Sequence, residues 1–262
     1  MEKIQFDYEV GEVIYKVVGD RRLTLYTFEP PSKTSHPRPA LLFFNGGSFK
    51  QDPKLANQFQ HQAHYFSTLG MLAICVDYRN GADEDFIPPQ AICDVKSAIR
   101  YVRKHANKLG VDPSKIIVCG SSAGGYITVS SLMFSDLDDE KESAVDVDHL
   151  PDSLIIFSAD MDGVDIMRRR YPELLDQAAD FSPLHHIKKI LPDTLWICGT
   201  GDDLCEQNKR FVEEMNEVGN RIEFKTYEGM EHGFFNYGKH ENLYFERTKE
   251  DIEMYLRRKK LI

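Results

Sequence analysis

Within "CGSSAGGY", Cys119 to Tyr126, two adjacent serines stand in a frame of glycines. The pattern G-x-S-x-G fits in one register only, Gly120-Ser121-Ser122-Ala123-Gly124, and that register centres Ser122; centring Ser121 would need glycines where Cys119 and Ala123 stand. A nucleophile carried on a sharp strand-to-helix turn requires glycine two residues to either side, because side chains there would clash. The turn raises the hydroxyl and leaves the N–H of Ala123 at a helix N-terminus, where partial positive charge favours an anion. A serine hydroxyl is a weak nucleophile until a base takes its proton and a carboxylate orients that base. The chemistry to look for is therefore acyl transfer; a plain Gly-rich turn is the alternative.

Nine histidines could supply the base. His36 lies in a Pro-rich loop, His61, His64 and His105 fall in helix-like stretches, and His149, His185, His186 and His240 sit in polar connections. His232, in "YEGMEHGFF", follows the apolar run "RIEFKTY" and is flanked by Gly229 and Gly233, which puts it in a short loop at a strand's carboxyl end. The paired His185-His186 has no third ligand at metal spacing and reads as a structural loop. For the acid, "LWICGTGDDL" places Asp202 and Asp203 just after another strand-like run. Asp202 is favoured as the acid, with Asp203 in a helix-capping or loop role. Oxyanion donors can come from Asn45-Gly46-Gly47-Ser48-Phe49, where the N–H groups of Gly47 and Ser48 would join that of Ala123.

These residues need a scaffold that presents strand ends together. "VIYKVV" and "RLTLYTFE", separated by Gly19-Asp20, read as an antiparallel hairpin, followed by the loop "PPSKTSHPRP". Apolar runs then alternate with helix-like stretches: "ALLFF", "MLAICVDY", "KIIVCG", "SLIIF", "TLWICG" and "RIEFKTY". In "QAICDVKSAIRYVRKHANKLG", Ile92, Val95, Ile99 and Val102 share one face, and Gly110 is placed to end the helix. This alternation predicts a mostly parallel twisted sheet with helices on both faces and ligands at the strands' carboxyl ends. "ENLYFE", Glu241 to Glu246, resembles a protease cleavage site but runs into Phe245, Thr248, Ile252 and Tyr255 at helical spacing, and reads as a native C-terminal helix.

The 262 residues suit one α/β domain spanning 1–262, and no repeat or linker interrupts them. A net charge of -10 disfavours nucleic acid and anionic membrane as partners. No signal-like start and no long apolar run are visible, so a cytoplasmic location is expected. Five scattered cysteines read as buried free thiols in a reducing compartment. No metal site and no cofactor are called for. The oligomeric state is left open, a homodimer included.

At these residues the chain resembles the acetyl-esterase and hormone-sensitive-lipase-like branch of the α/β-hydrolases. That family's "HGGG", "DYR", "GxSAGG", "GTxDxL" and "HGF" motifs are matched by "NGGS", "DYR" (Asp77 to Arg79), "GSSAGG", "GTGDDL" and "HGF" (His232 to Phe234) over about Ala40 to Asn236. The resemblance implies Ser122 as nucleophile, His232 as base, Asp202 as orienting acid, and Gly47, Ser48 and Ala123 as oxyanion donors, with Gly120 and Gly124 framing the nucleophile. The chain departs from the pattern at Asn45, where the family has histidine, and at Ser48, where it has a third glycine. A left-handed backbone at Ser48 would be strained. The hairpin occupies the residues that a long N-terminal cap would need, so little or no cap is expected beyond a small lid from 158 to 192. The resulting expectation is a serine carboxylesterase for short-chain, acetyl-type esters on an accessible alcohol such as a sugar. An acyl-peptide hydrolase or exopeptidase, or a non-catalytic small-molecule receptor on the same fold, are the alternatives.

Overall fold

The computed structural model describes residues 4–32, 36–49, 56–139 and 147–262. Eight strands form one sheet in the order β1-β2-β4-β3-β5-β6-β7-β8. β1 (Gly11–Val18) and β2 (Arg21–Phe28) form the expected hairpin, and β2 also pairs antiparallel with β4 (Leu72–Val76). From there β3 (Arg38–Phe44), β5 (Val111–Ser121), β6 (Ser153–Phe157), β7 (Thr194–Gly199) and β8 (Ile222–Tyr227) run parallel with their neighbours. Lys33 to Ser35 of the Pro-rich loop lie outside the described residues.

The central strands are apolar without alternation because helices cover both faces. Leu42 and Phe44 point into one core with Ile92, Val95 and Ile99 of α2 (Pro88–Lys104), Ile127 of α4 (Ala123–Met133) and Phe211 of α6 (Cys205–Glu217). Their neighbours Leu41 and Phe43 point into the other, with Phe66 of α1 (Gln60–Thr68) and Ile252, Tyr255 and Leu256 of α7 (Leu243–Arg258). The period-two alternation of the strand thus feeds two cores at once. The C-terminal helix read through "ENLYFE" is α7.

One boundary differs from the sequence expectation. The helix expected to reach Gly110 breaks at His105, where φ is -102° and ψ 19°, and resumes as a single turn, α3 (Ala106–Leu109), before Gly110 ends it at φ 64°. The His105 N–H keeps its bond to the Tyr101 carbonyl at 3.0 Å, the ring Nδ1 lies 2.9 Å from the same oxygen, and the ring stacks on Tyr101. Between β6 and β7, α5 (Gly163–Arg170) and the 3₁₀ turns Pro172–Phe181 and Pro183–His185 lie beside the strand ends. No helix among the described residues is long and apolar enough to cross a membrane.

Candidate active site

Ser122 sits between the last residue of β5 and the first of α4 at φ 51° and ψ -120°. Its N–H donates to the Phe157 carbonyl at 2.9 Å and its carbonyl accepts from the Tyr126 N–H at 3.0 Å, so both peptides are held. The glycine frame has a direct steric cause. A Cβ on Gly120 would stand 2.6 Å from the Gly124 carbonyl oxygen, and one on Gly124 only 2.2 Å from that of Phe44. Gly46, across the turn, would bring a Cβ to 3.1 Å from that of Ser122. Ser121 is buried with its hydroxyl turned away, donating to Gln58 Oε1 at 3.3 Å.

The loops after β7 and β8 are packed backbone to backbone. A Cβ on Gly199 would meet the Met230 carbonyl oxygen at 2.0 Å, and the Gly201 N–H donates to that same carbonyl at 3.0 Å. This contact brings Asp202 and His232 together, with His232 Nδ1 2.7 Å from Asp202 Oδ2. The second carboxylate oxygen accepts the Leu204 N–H at 3.0 Å. Only 2% of the Asp202 side chain is exposed, against 47% of the imidazole, so the acid is fixed while the ring faces the pocket. Burial pushes the Asp202 carboxyl up, but the hydrogen bonds from His232 and the Leu204 N–H and the imidazole's charge together hold it below the ordinary carboxylate value. A carboxylate on Nδ1 favours the tautomer whose Nε2 accepts a proton. Asp203 is an exposed loop residue on the pocket wall, and no side chain among the described residues caps the helix that starts at Cys205.

The third loop, after β3, carries Gly47 at φ 127°, then Ser48 at 54° and Phe49 at 59°. Two successive non-glycine residues thus occupy the left-handed region, at a cost of order 1–3 kcal/mol each. Asn45, standing where the family has histidine, is buried; its Nδ2 donates to the Gly46 carbonyl at 2.7 Å, and the Tyr78 hydroxyl donates to the Asn45 carbonyl at 2.8 Å.

Ser48, Ser122 and His232 line two adjoining pockets. The larger, about 460 Å³, also takes in Ala123, Phe49, Tyr126, Ile166, Arg169 and Leu204. The smaller, about 280 Å³, adds Gly47, Gln58, Phe235, Asn236 and Lys239. All eight site residues picked from sequence lie in these walls or in the turn that frames them. The other histidines lie elsewhere: His185 Nδ1 is 2.7 Å from Ser182 Oγ and His186 Nε2 is 2.8 Å from the Ala179 carbonyl. No group of three metal-ligating side chains occurs among the described residues. Sequence reasoning missed the Tyr126 hydroxyl's 2.6 Å bond to the Phe181 carbonyl, which ties the 158–192 segment to α4 beside the pocket, and the Asp160–Arg169 pair, at 2.6 Å, which closes within that segment. It also missed Gln58 and Asn236, which no motif marks.

The residue pattern of the alpha/beta hydrolase fold family matches residues 41–236. Among solved structures, esterase 2 of Thermogutta terrifontis with propionate bound is 34% identical, covering 97% of this chain and 95% of that one at a TM-score of 0.87. Among curated relatives, a probable isoprenylcysteine alpha-carbonyl methylesterase of Arabidopsis thaliana is 27% identical over 86% of this chain and 51% of its own. The esterase LipC of Mycobacterium tuberculosis is 26% identical over 86% of this chain and 62% of its own. This chain spans roughly half to three-fifths of the length of these two curated relatives. By fold, motif and similarity, the chain belongs to the α/β-hydrolase family, in its hormone-sensitive-lipase-like esterase branch.

Proposed function

We propose that the chain is a serine carboxylesterase for short-chain esters. The observation that carries this reading is the buried Asp202 carboxylate on His232 Nδ1, in the same pocket as a serine on a strained strand-to-helix turn. Ser122 Oγ attacks the ester carbonyl carbon while its proton passes to His232 Nε2. The tetrahedral oxyanion is received by the N–H groups of Gly47, Ser48 and Ala123. As it collapses, the carbon–alcohol oxygen bond breaks and the alcohol leaves with the proton from His232. Water then gives a proton to His232 as its oxygen attacks the acyl carbon, and on collapse the bond from that carbon to Ser122 Oγ breaks while His232 returns the proton to Oγ, releasing the acid and free Ser122. Asp202 keeps the ring in the required tautomer throughout, and no cofactor takes part.

The two pockets meeting at Ser122 and His232 give each half of an ester its own space. Esterase 2 of Thermogutta terrifontis has been solved with propionate and with butyrate bound, which supports a short acyl group here. The polar smaller pocket, with Asn236 and Lys239 in its wall, suits a hydroxyl-bearing alcohol such as a sugar, and the 158–192 segment, which supplies Asp160, Ile166 and Arg169 to the larger pocket, serves there as a small lid. The same neighbour has been solved phosphorylated by paraoxon. Paraoxon is therefore expected to inactivate this chain by phosphorylating Ser122, releasing one p-nitrophenolate per site.

The test pairs p-nitrophenyl esters of two to twelve carbons and acetylated sugars with wild type and Ser122→Ala. Hydrolysis that peaks at short acyl chains and disappears in Ser122→Ala is expected. Activity that persists in Ser122→Ala would remove the mechanism, and a peak at long chains would remove the substrate class.

A further inference from the structure

Gln58, just before α1, bridges loops that the proposed reaction needs in register. Its Oε1 accepts from the Gly46 N–H at 2.7 Å and from the Ser121 hydroxyl at 3.3 Å. Its Nε2 donates to Asn236 Oδ1 at 3.0 Å. Asn236 Nδ2 in turn donates to the carbonyl of Gly233, the residue after His232, at 2.8 Å. The dipoles run one way, from the loop after β3 to the histidine loop, so each link polarises the next. A carboxamide can do this because it accepts at one end and donates at the other; a carboxylate could make only the first half.

The consequence for the donors is geometric. Gly46 has its N–H drawn to Gln58 and its carbonyl drawn to Asn45 Nδ2. In a planar trans peptide the carbonyl and the following N–H point in opposite directions, so holding the Gly46 carbonyl also aims the N–H of Gly47. Gln58 thus removes the Gly46 N–H from the site and anchors the loop on which Gly47 and Ser48 stand. The same side chain grips the loop that carries the imidazole.

We propose that Gln58 is a positioning residue, holding the oxyanion-donor loop and the histidine loop at a fixed separation across Ser122. The inference rests on the esterase reading. Since oxyanion contacts strengthen only in the transition state, loosening them should lower kcat and leave KM alone.

The experiment measures kcat and KM with p-nitrophenyl butyrate, together with thermal unfolding, for wild type, Ser122→Ala, Gln58→Ala, Gln58→Glu, Asn236→Ala and the Gln58→Ala/Asn236→Ala pair. Gln58→Ala is expected to lower kcat about 10–100-fold with KM within about threefold. Gln58→Glu, which keeps the acceptor and loses the donor, should fall in between. The double variant should be no slower than Gln58→Ala, because both changes cut one chain. Should Gln58→Ala not fold, Gln58→Glu and Asn236→Ala carry the same comparison. Wild-type kcat in the folded Gln58 variants, a loss confined to KM, or additive losses in the pair would overturn the proposal. An inactive wild type, or an active Ser122→Ala, would instead overturn the esterase reading and the inference with it. Dead Ser122→Ala beside undisturbed Gln58 variants would overturn the positioning role alone.

Discussion

Ser122 keeps its left-handed backbone because the surroundings leave no alternative: β6 takes its N–H, α4 takes its carbonyl, and glycines let the two sides of the turn touch. Gly124 is the most tightly enclosed of the frame, facing the carbonyl oxygens of Phe44 at 2.2 Å and Asn45 at 2.4 Å. Gly124→Ala must push β3 and its donor loop off the turn. It is expected to cost about 1–3 kcal/mol in urea unfolding and most of the ester hydrolysis in the same sample. Asp202 makes a different kind of prediction. Its folded pKa lies below the ordinary 3.8, so the carboxylate's contribution to stability is present at higher pH and lost as pH falls through the folded value. The stability gap between wild type and Asp202→Asn should therefore shrink below about pH 4. At pH 7 the variant should lose kcat on the order of 10⁴-fold, since an amide no longer selects the tautomer; rates within tenfold of wild type would count against the acid's role.

At the scale of elements, the loop after β3 tests whether backbone or side chain matters. Ser48 stands at φ 54°, where glycine would be unstrained, and the proposed mechanism uses only its N–H. Ser48→Gly should leave kcat near wild type, whereas Ser48→Pro, which lacks the N–H and cannot reach a positive φ, should lose about 100-fold or more. Equal losses in both would point to the hydroxyl instead. This loop also marks how far the sequence could be read. Gly120, Gly124 and the centring of Ser122 are legible because a close approach of backbones dictates residue type. Asp202 and His232 are legible because strand ends are recognisable from apolar runs. The strain at Ser48 was foreseeable from the missing third glycine. Gln58 and Asn236 left no such trace: their amides act across 178 residues of chain and answer to no period or spacing. Nor does a helical pattern announce that His105 will break it.

For the molecule as a whole, the hairpin and the mostly parallel sheet were accessible from alternating apolar runs, but the order of strands within the sheet and the fasteners that join the hairpin to it were not. Asp77 and Arg79 of "DYR" are two of them, while Tyr78 joins the end of β4 to the loop after β3. Asp77 pairs with Arg21 of β2 at 2.8 Å, Tyr78 reaches the donor loop, and Arg79 grips Asp94 of α2. Asp94 is fully buried and serves two cations: Arg79, whose Nη2 is 2.7 Å from Oδ1 and whose Nε is 2.8 Å from Oδ2, and Lys16 of β1, 2.8 Å from Oδ1. Lys16 also meets Asp139 and donates to Ser97 Oγ. One carboxylate therefore ties the edge hairpin, the end of β4 and α2 into a single body. Replacing it with alanine leaves two buried cations sharing what remains, and taking one partner from a buried pair typically costs 3–5 kcal/mol because the other charge is uncompensated. Asp94→Ala should lower Tm on the order of 10 °C. Asp94→Asn keeps an acceptor oxygen in the same place and should lose less. If thermal unfolding finds both variants within about 2 °C of wild type, water or rearranged side chains must already be serving Lys16 and Arg79, and the β2–β4 ladder with the Asp77–Arg21 pair must suffice to hold the hairpin.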